Sequence, residues 1–215
     1  MRVAWVIARR ELAAYFKTPL GYAVAFVIMV MHGLYFYVYR WGPSTLSTKI
    51  LESYFESVWG AVAFAGLLLS MGLFADERQN GTLVLLQTAP IREWQVILGK
   101  WIACFVMVVA YALATLYMPL MVWWLGSVNL GHIVAGYVGV LGWAACVSAI
   151  GTWGSALGRN HILSLAVSCP TVILLILMWL LARKVEAPLN DVFSYLSLYD
   201  KHWAPSFQRG RINVA

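Results

Sequence analysis

The feature that most constrains this chain is a succession of apolar runs, each close to the length that crosses a bilayer. About 20 consecutive apolar residues on a helix span the ~30 Å of hydrocarbon. Five stretches approach or exceed that length: 20–39, 58–74, 94–125, 132–157 and 162–181. Inside lipid every backbone N–H and C=O must find its partner within the protein, so continuous apolar runs of this kind form helices. The expected fold is an all-α polytopic membrane protein, a single transmembrane domain over 1–215 with an N-terminal interfacial amphipathic helix and five transmembrane helices. Composition agrees, with 62% hydrophobic and 11% charged residues, against roughly 25% charged in soluble domains. A soluble protein of this makeup would lack the polar surface to cover itself.

The charges that exist sit in flanks and loops. The net charge of +6 is therefore read as a topology signal, and no nucleic-acid partner is expected. Cys104, Cys146 and Cys169 lie inside apolar runs without CxxC spacing and read as small packing residues. The first nineteen residues hold Arg9, Arg10, Glu11 and Lys17 and lack a clean apolar stretch, so no cleavable signal peptide is expected.

Residues 1–18 are amphipathic. Arg2 and Arg9 are seven residues apart, as are Arg10 and Lys17, nearly two helical turns. The four basic residues share one sector, which suits a helix lying in the membrane interface with its basic side toward anionic headgroups. Thr18-Pro19 is a helix start, Thr as N-cap and Pro at the first helical position. The first run ends in Tyr35, Phe36, Tyr37, Tyr39 and Trp41, an aromatic belt at an interface. His32 within it reads as a packing residue. Residues 42–56 form the first outer loop, part of it able to be helical. The second run carries Gly60, Gly66 and Gly72, small residues that let helices approach closely. Pro119 lies inside the third run, which is longer than one crossing needs. Inner segments hold Arg2, Arg9, Arg10, Lys17, Arg78, Arg92, Lys100 and Arg159. That distribution puts the N-terminus in the cytoplasm and 183–215 outside as a polar tail, although the tail's own basic residues oppose this.

Between the second and third runs lies the densest group of charges, 75–100. Its part 75–93 is expected to form a helix–turn–helix elbow on the membrane surface. Gly81 can take conformations closed to other residues. Thr82 is expected to cap a short helix from Leu83 to Gln87, and Pro90 ends it and opens the next. The leucines would face lipid or bundle and the charges the cytosol.

No catalytic constellation is present in the sequence. There is no GxxxxGK[ST] loop, no HExxH and no Cys/His cluster with metal spacing. The methionines of the runs read as packing. No cofactor and no metal are expected in this chain. The five runs, taking the third from Trp101, contain no Asp, Glu, Lys or Arg. Ion-coupled transporters usually place such residues in the membrane, so any work this chain performs is expected to draw its energy from elsewhere.

The string Phe74-Ala75-Asp76-Glu77-Arg78-Gln79-Asn80-Gly81-Thr82-Leu83, the following Pro90, and Gly99-Lys100 resemble the E-R-x-x-G-T-L … P … G-K stretch of ABC transporter permeases of the type-2 exporter class. The amphipathic start with Arg9-Arg10-Glu11-Leu12 is similar too. Within the class, the tail from Leu196 to Gly210 resembles gliding-motility and nitrous-oxide-reductase-maturation permeases. The resemblance implies a membrane subunit that is not itself an enzyme, with ATP held by a partner subunit. It implies two copies of an ABC-type ATPase, a second permease subunit (the same chain or another), and the lipid bilayer as surroundings. Asp76, Glu77, Arg78, Gly81, Thr82 and Pro90 would form the element that couples to the ATPase. Six spans are implied where five are found, so the sixth is expected to be missing. The function expected is permease of an ATP-driven exporter in the inner (plasma) membrane. The alternative is a non-transporting membrane anchor or assembly factor that recruits an ATPase.

Overall fold

The computed structural model of the protein describes residues 2–40, 47–88, 90–125, 128–182 and Trp203. The expected tail 183–215, apart from Trp203, lies outside the described residues, as do 41–46 of the first loop. Among the described residues the chain is helical, with no strand. The helices run α1 (Arg2–Lys17), α2 (Pro19–Arg40), α3 (Ser47–Ser70), α4 (Gly72–Gln79), α5 (Leu83–Thr88), α6 (Glu93–Ala114), α7 (Tyr117–Leu125), α8 (Leu130–Leu157) and α9 (His161–Ala182). Four stretches are long and apolar enough to cross a membrane: Ser47–Gln79, Glu93–Trp124, Leu130–Leu157 and His161–Met178. The α1–α2 pair, bent by 71°, makes a fifth if counted as one span. The protein is a polytopic helical membrane protein.

Two boundaries differ from the sequence-based expectation, each for a physical reason. The second run was expected to start at residue 58, but α3 begins at Ser47. Leu51, Tyr54 and Phe55 are buried at near-helical spacing and extend the packed face of the helix outward. At its other end the same stretch continues past Met71 into α4, so Asp76, Glu77 and Arg78 sit on the last turns of a helix rather than in a loop. Ser155 of α8 bridges the α3–α4 join. Its hydroxyl accepts from Phe74 N and donates to Met71 O, both at 3.0 Å.

The long third run is broken where Pro119 requires it. Proline has no N–H to give the carbonyl four residues back, which is that of Thr115. The helix pauses at Thr115–Leu116, and α7 begins at Tyr117. The Thr115 carbonyl takes Met118 N at 3.1 Å and the Tyr54 hydroxyl at 3.1 Å instead.

The core lies between α3, α6 and α8, with α1 laid along α6. Small residues set these approaches. A Cβ on Gly66 would stand 2.7 Å from Val147 Cγ1, and one on Gly99 would stand 2.7 Å from the Ala4 carbonyl oxygen and 2.9 Å from Ile7 Cβ. Trp143 of α8 stacks on Trp59 of α3 at 4.3 Å and donates to the Trp59 carbonyl at 3.0 Å. α9 is peripheral, with Ile162, Leu163, Leu174 and Leu177 exposed. Such a surface is at no disadvantage in lipid, whose tails are as apolar as leucine.

Gly99→Val tests the α1–α6 contact. Overpacking of this kind typically costs ~1–3 kcal/mol. The variant is expected to melt at lower temperature in detergent and to be cleaved by trypsin at Arg9 and Arg10 faster than the wild type.

Candidate functional site

The site is built around a lysine inside the bundle. On α6, Val96, Gly99, Lys100, Ala103, Cys104, Met107 and Val108 form one buried stripe, the 3.6-residue periodicity of a packed face. Lys100 stands in that stripe with its side chain 1% exposed. An isolated buried ammonium is too costly to persist, and its three N–H groups each find a partner. Lys100 Nζ lies 3.0 Å from Glu11 Oε1 and 2.9 Å from Glu77 Oε1, and it donates to the Leu73 carbonyl. The Phe74 ring lies below it at 5.1 Å, a cation–π contact.

Arg10 closes the arrangement. Its Nη2 is 2.7 Å from both Glu11 Oε1 and Glu77 Oε1. Arg10, Glu11, Lys100 and Glu77 thus form a closed ring of two cations and two carboxylates, joining α1, α4 and α6 at one point. The side chains of Glu11 and Glu77 are 16% and 13% exposed, while that of Arg10, at 57%, faces outward. The hydrogen bond to Glu11, reinforced by its charge and by Glu77, raises the Arg10 pKa above its ordinary value against a smaller opposing effect of burial. Glu77 Oε2 is buried and finds no partner among the described residues.

The other elbow residues are tied inward as well. Asp76 Oδ1 meets His161 Nε2 at 2.9 Å, linking α4 to the first turn of α9. Arg78 donates to the carbonyls of Ala156 at 2.8 Å and Gly158 at 3.2 Å, closing the C-terminal end of α8, where unpaired carbonyls favour a cation. The expectation that the elbow charges all face the cytosol is therefore corrected: Glu77 points into the bundle, and Asp76 and Arg78 brace neighbouring helices. Thr82 also differs from its expected role. Its hydroxyl donates to the Glu77 carbonyl at 3.3 Å, closing the end of α4 rather than opening α5. Gly81, at φ 69°, makes the turn between them, a conformation open to glycine and costly for most residues. Pro90 is exposed before α6, whose first turn is capped by Gln95 accepting from Arg92 N at 3.4 Å. Leu83 and Leu86 of α5 pack on the core, as their pattern implied.

Beyond those residues, the exposed surface of the elbow includes Gln79, Asn80, Gly81, Thr82, Thr88, Pro90, Arg92, Glu93 and Val84, the last 61% exposed. Arg2, Arg9 and Lys17 are exposed along α1, and Arg10 alone of that basic group enters the ring. Ala4, Ile7, Ala8 and Tyr15 are the buried residues of the same helix.

Lys100 and Glu11 were the residues missed. Lys100 was taken as the end of a polar interval, so the runs looked free of charge. The signal was present: Lys100 sits four residues after Val96 and four before Cys104, and Glu11 sits four after Ile7 and four before Tyr15. Two opposite charges, each on the apolar stripe of its helix, predict a buried pair.

These features define a helical membrane protein whose polar elbow is bonded into its spans. A family model for ABC-2 family transporter proteins matches residues 43–198. The chain belongs to that family and is an ABC permease component: a membrane transport part, not itself catalytic, that works with an ABC ATPase subunit. No curated protein matches its sequence.

Removing one member of a buried ion pair strands the others and costs ~3–5 kcal/mol. Lys100→Met is expected to destabilise the protein by that amount in denaturant unfolding from mixed micelles. Adding Glu11→Gln and Glu77→Gln removes the stranded charges and should restore more than half of the loss. Arg78→Ala, which strips the end of α8, should cost ~1–2 kcal/mol in the same assay.

Proposed function

We propose that this chain is the transmembrane permease subunit of an ATP-driven exporter, and that its elbow is where the ATPase acts. Hydrolysis belongs to the partner, present in two copies, each holding ATP. The permease pairs with a second permease subunit, the same chain or another, in the inner (plasma) membrane with its N-terminus cytoplasmic. The closer kinship with gliding-motility and nitrous-oxide-reductase-maturation permeases, which rests on the elbow and tail strings, belongs to this proposal.

The observation that carries it is the four-charge ring. It ties the elbow arm α4 to α1 and to α6 at one buried point, beside the bonds from Asp76 to α9 and from Arg78 to α8. A force on the elbow therefore reaches every neighbouring element through short bonds rather than a flexible linker. The magnitudes favour a joint that stays closed. Inverting a 1:99 equilibrium requires ~5.5 kcal/mol of differential binding, and stranding a ring charge costs ~3–5 kcal/mol. A ring that opened in each cycle would absorb most of that input. The partner docks on the exposed turn and short helix, with Val84 the apolar centre and Gln79, Asn80 and Thr82 in its polar rim, as in protein interfaces generally. Asp76, Glu77 and Arg78 then hold the elbow in position rather than touch the ATPase.

Val84→Glu tests the docking. It is expected to weaken capture of the cognate ABC ATPase at least tenfold, with no change in the melting temperature of the permease alone. Capture at wild-type strength would rule out docking at the elbow.

A further inference from the structure

A second polar site lies at the end of the bundle away from the elbow, and the permease reading does not use it. There Tyr54 of α3, Thr115 at the end of α6 and Tyr137 of α8 share their hydroxyls. Tyr54 Oη is 2.7 Å from Thr115 Oγ1 and 3.0 Å from Tyr137 Oη. Thr115 and Tyr137 donate in turn to the Ala112 carbonyl, at 2.8 Å and 3.3 Å. This cluster satisfies its own donors.

His32 of α2 stands beside it, its ring edge-on to Tyr54 at 6.0 Å. It is 2% exposed. Nδ1 is 2.9 Å from the Ile28 carbonyl. A carbonyl only accepts, so Nδ1 carries the proton, and in the neutral ring Nε2 is a bare acceptor. That Nε2 is buried and has no partner among the described residues. His32 also lines a cavity between α2, α3 and α6, walled by Val58, Val62, Tyr111, Ala112 and Thr115. The space open to the centre of a water-sized sphere is about 10 Å³, close to what one water molecule needs.

We propose that this cavity is a hydration site, in which a water molecule donates to His32 Nε2 and uses the spare lone pairs of Thr115 opposite as its second anchor. The chemistry restricts the occupant to a hydrogen-bond donor of water's size. An anion or carbonyl would meet a bare acceptor, and the space suits one water molecule. The site links α2 to the point where Pro119 interrupts α6, in addition to the direct bond from the Tyr111 hydroxyl to the Gly21 carbonyl at 2.7 Å. A buried polar atom left unsatisfied is destabilising, and the bound water offsets that cost.

Millisecond X-ray radiolysis with mass spectrometry of the full chain in nanodiscs tests this, because radicals from bulk water label exposed side chains and those from a buried bound water label the side chains beside it. His32 is expected to be oxidised despite its burial, while Phe55, equally buried in the neighbouring core, is not. In the His32→Leu variant the labelling of Tyr111, which lines the same cavity, should fall at least threefold. An unlabelled His32 at doses that oxidise the exposed Trp94 would overturn the proposal, as would equal labelling of Phe55. Should His32→Leu fail to fold, the wild-type contrast between His32 and Phe55 decides alone.

Discussion

The arrangement at the elbow depends on one constraint, that an ammonium cannot be left alone in an apolar interior. Lys100 sits on the packed stripe of α6, so partners must come to it. Glu11 comes from α1 and Glu77 from α4, and Arg10 balances the second carboxylate. Three elements far apart in sequence are thereby fixed at one place. Gly99, beside the lysine, lets α1 approach closely enough for Glu11 to reach. Replacing the whole ring by well-packed apolar residues could be neutral for stability. Its worth lies in specifying where α1 and the elbow sit, since this register pairs all four charges.

That placement divides the polar interval into two roles. Of the charged triplet, Glu77 points into the bundle and joins α6, while the exposed Asp76 and Arg78 brace α9 and α8. The turn and the short helix beyond it face away, with Gly81 making the reversal. A partner pressing on the outer surface would push against a structure bonded at its base. At the other end of the molecule the packing is of a different kind. A proline break, a hydroxyl cluster and a histidine whose Nε2 has no partner among the described residues take the place of the ion ring.

Much of the fold was legible in the sequence because apolar length and small-residue content report spans directly. The elbow's turn was legible because Gly81 and Pro90 have few alternatives. The start of α3 was not, since Leu51, Tyr54 and Phe55 are buried by neighbours that no local pattern reveals. Partner choice was hidden for the same reason. Nothing near Asp76 points to His161, and nothing near Arg78 points to the end of α8. The ring itself was half legible: Lys100 and Glu11 each occupy a stripe position, yet Lys100 also ends the polar interval 75–100, and counting the third run from Trp101 concealed the pair. Charge on an apolar helical face is the clue, and it is read by periodicity rather than by counting.

The central claim is that the charged ring transmits the ATPase's action into the spans. Hydrogen–deuterium exchange of the reconstituted complex tests it most directly, comparing ATP-bound and nucleotide-free states in the wild type and in the neutral-ring variant Lys100→Met with Glu11→Gln and Glu77→Gln. The account predicts that ATP changes exchange in α7 and at the start of α8 in the wild type. In the variant that change should disappear, although the ATPase still binds. The same ATP-dependent change in both proteins would contradict it.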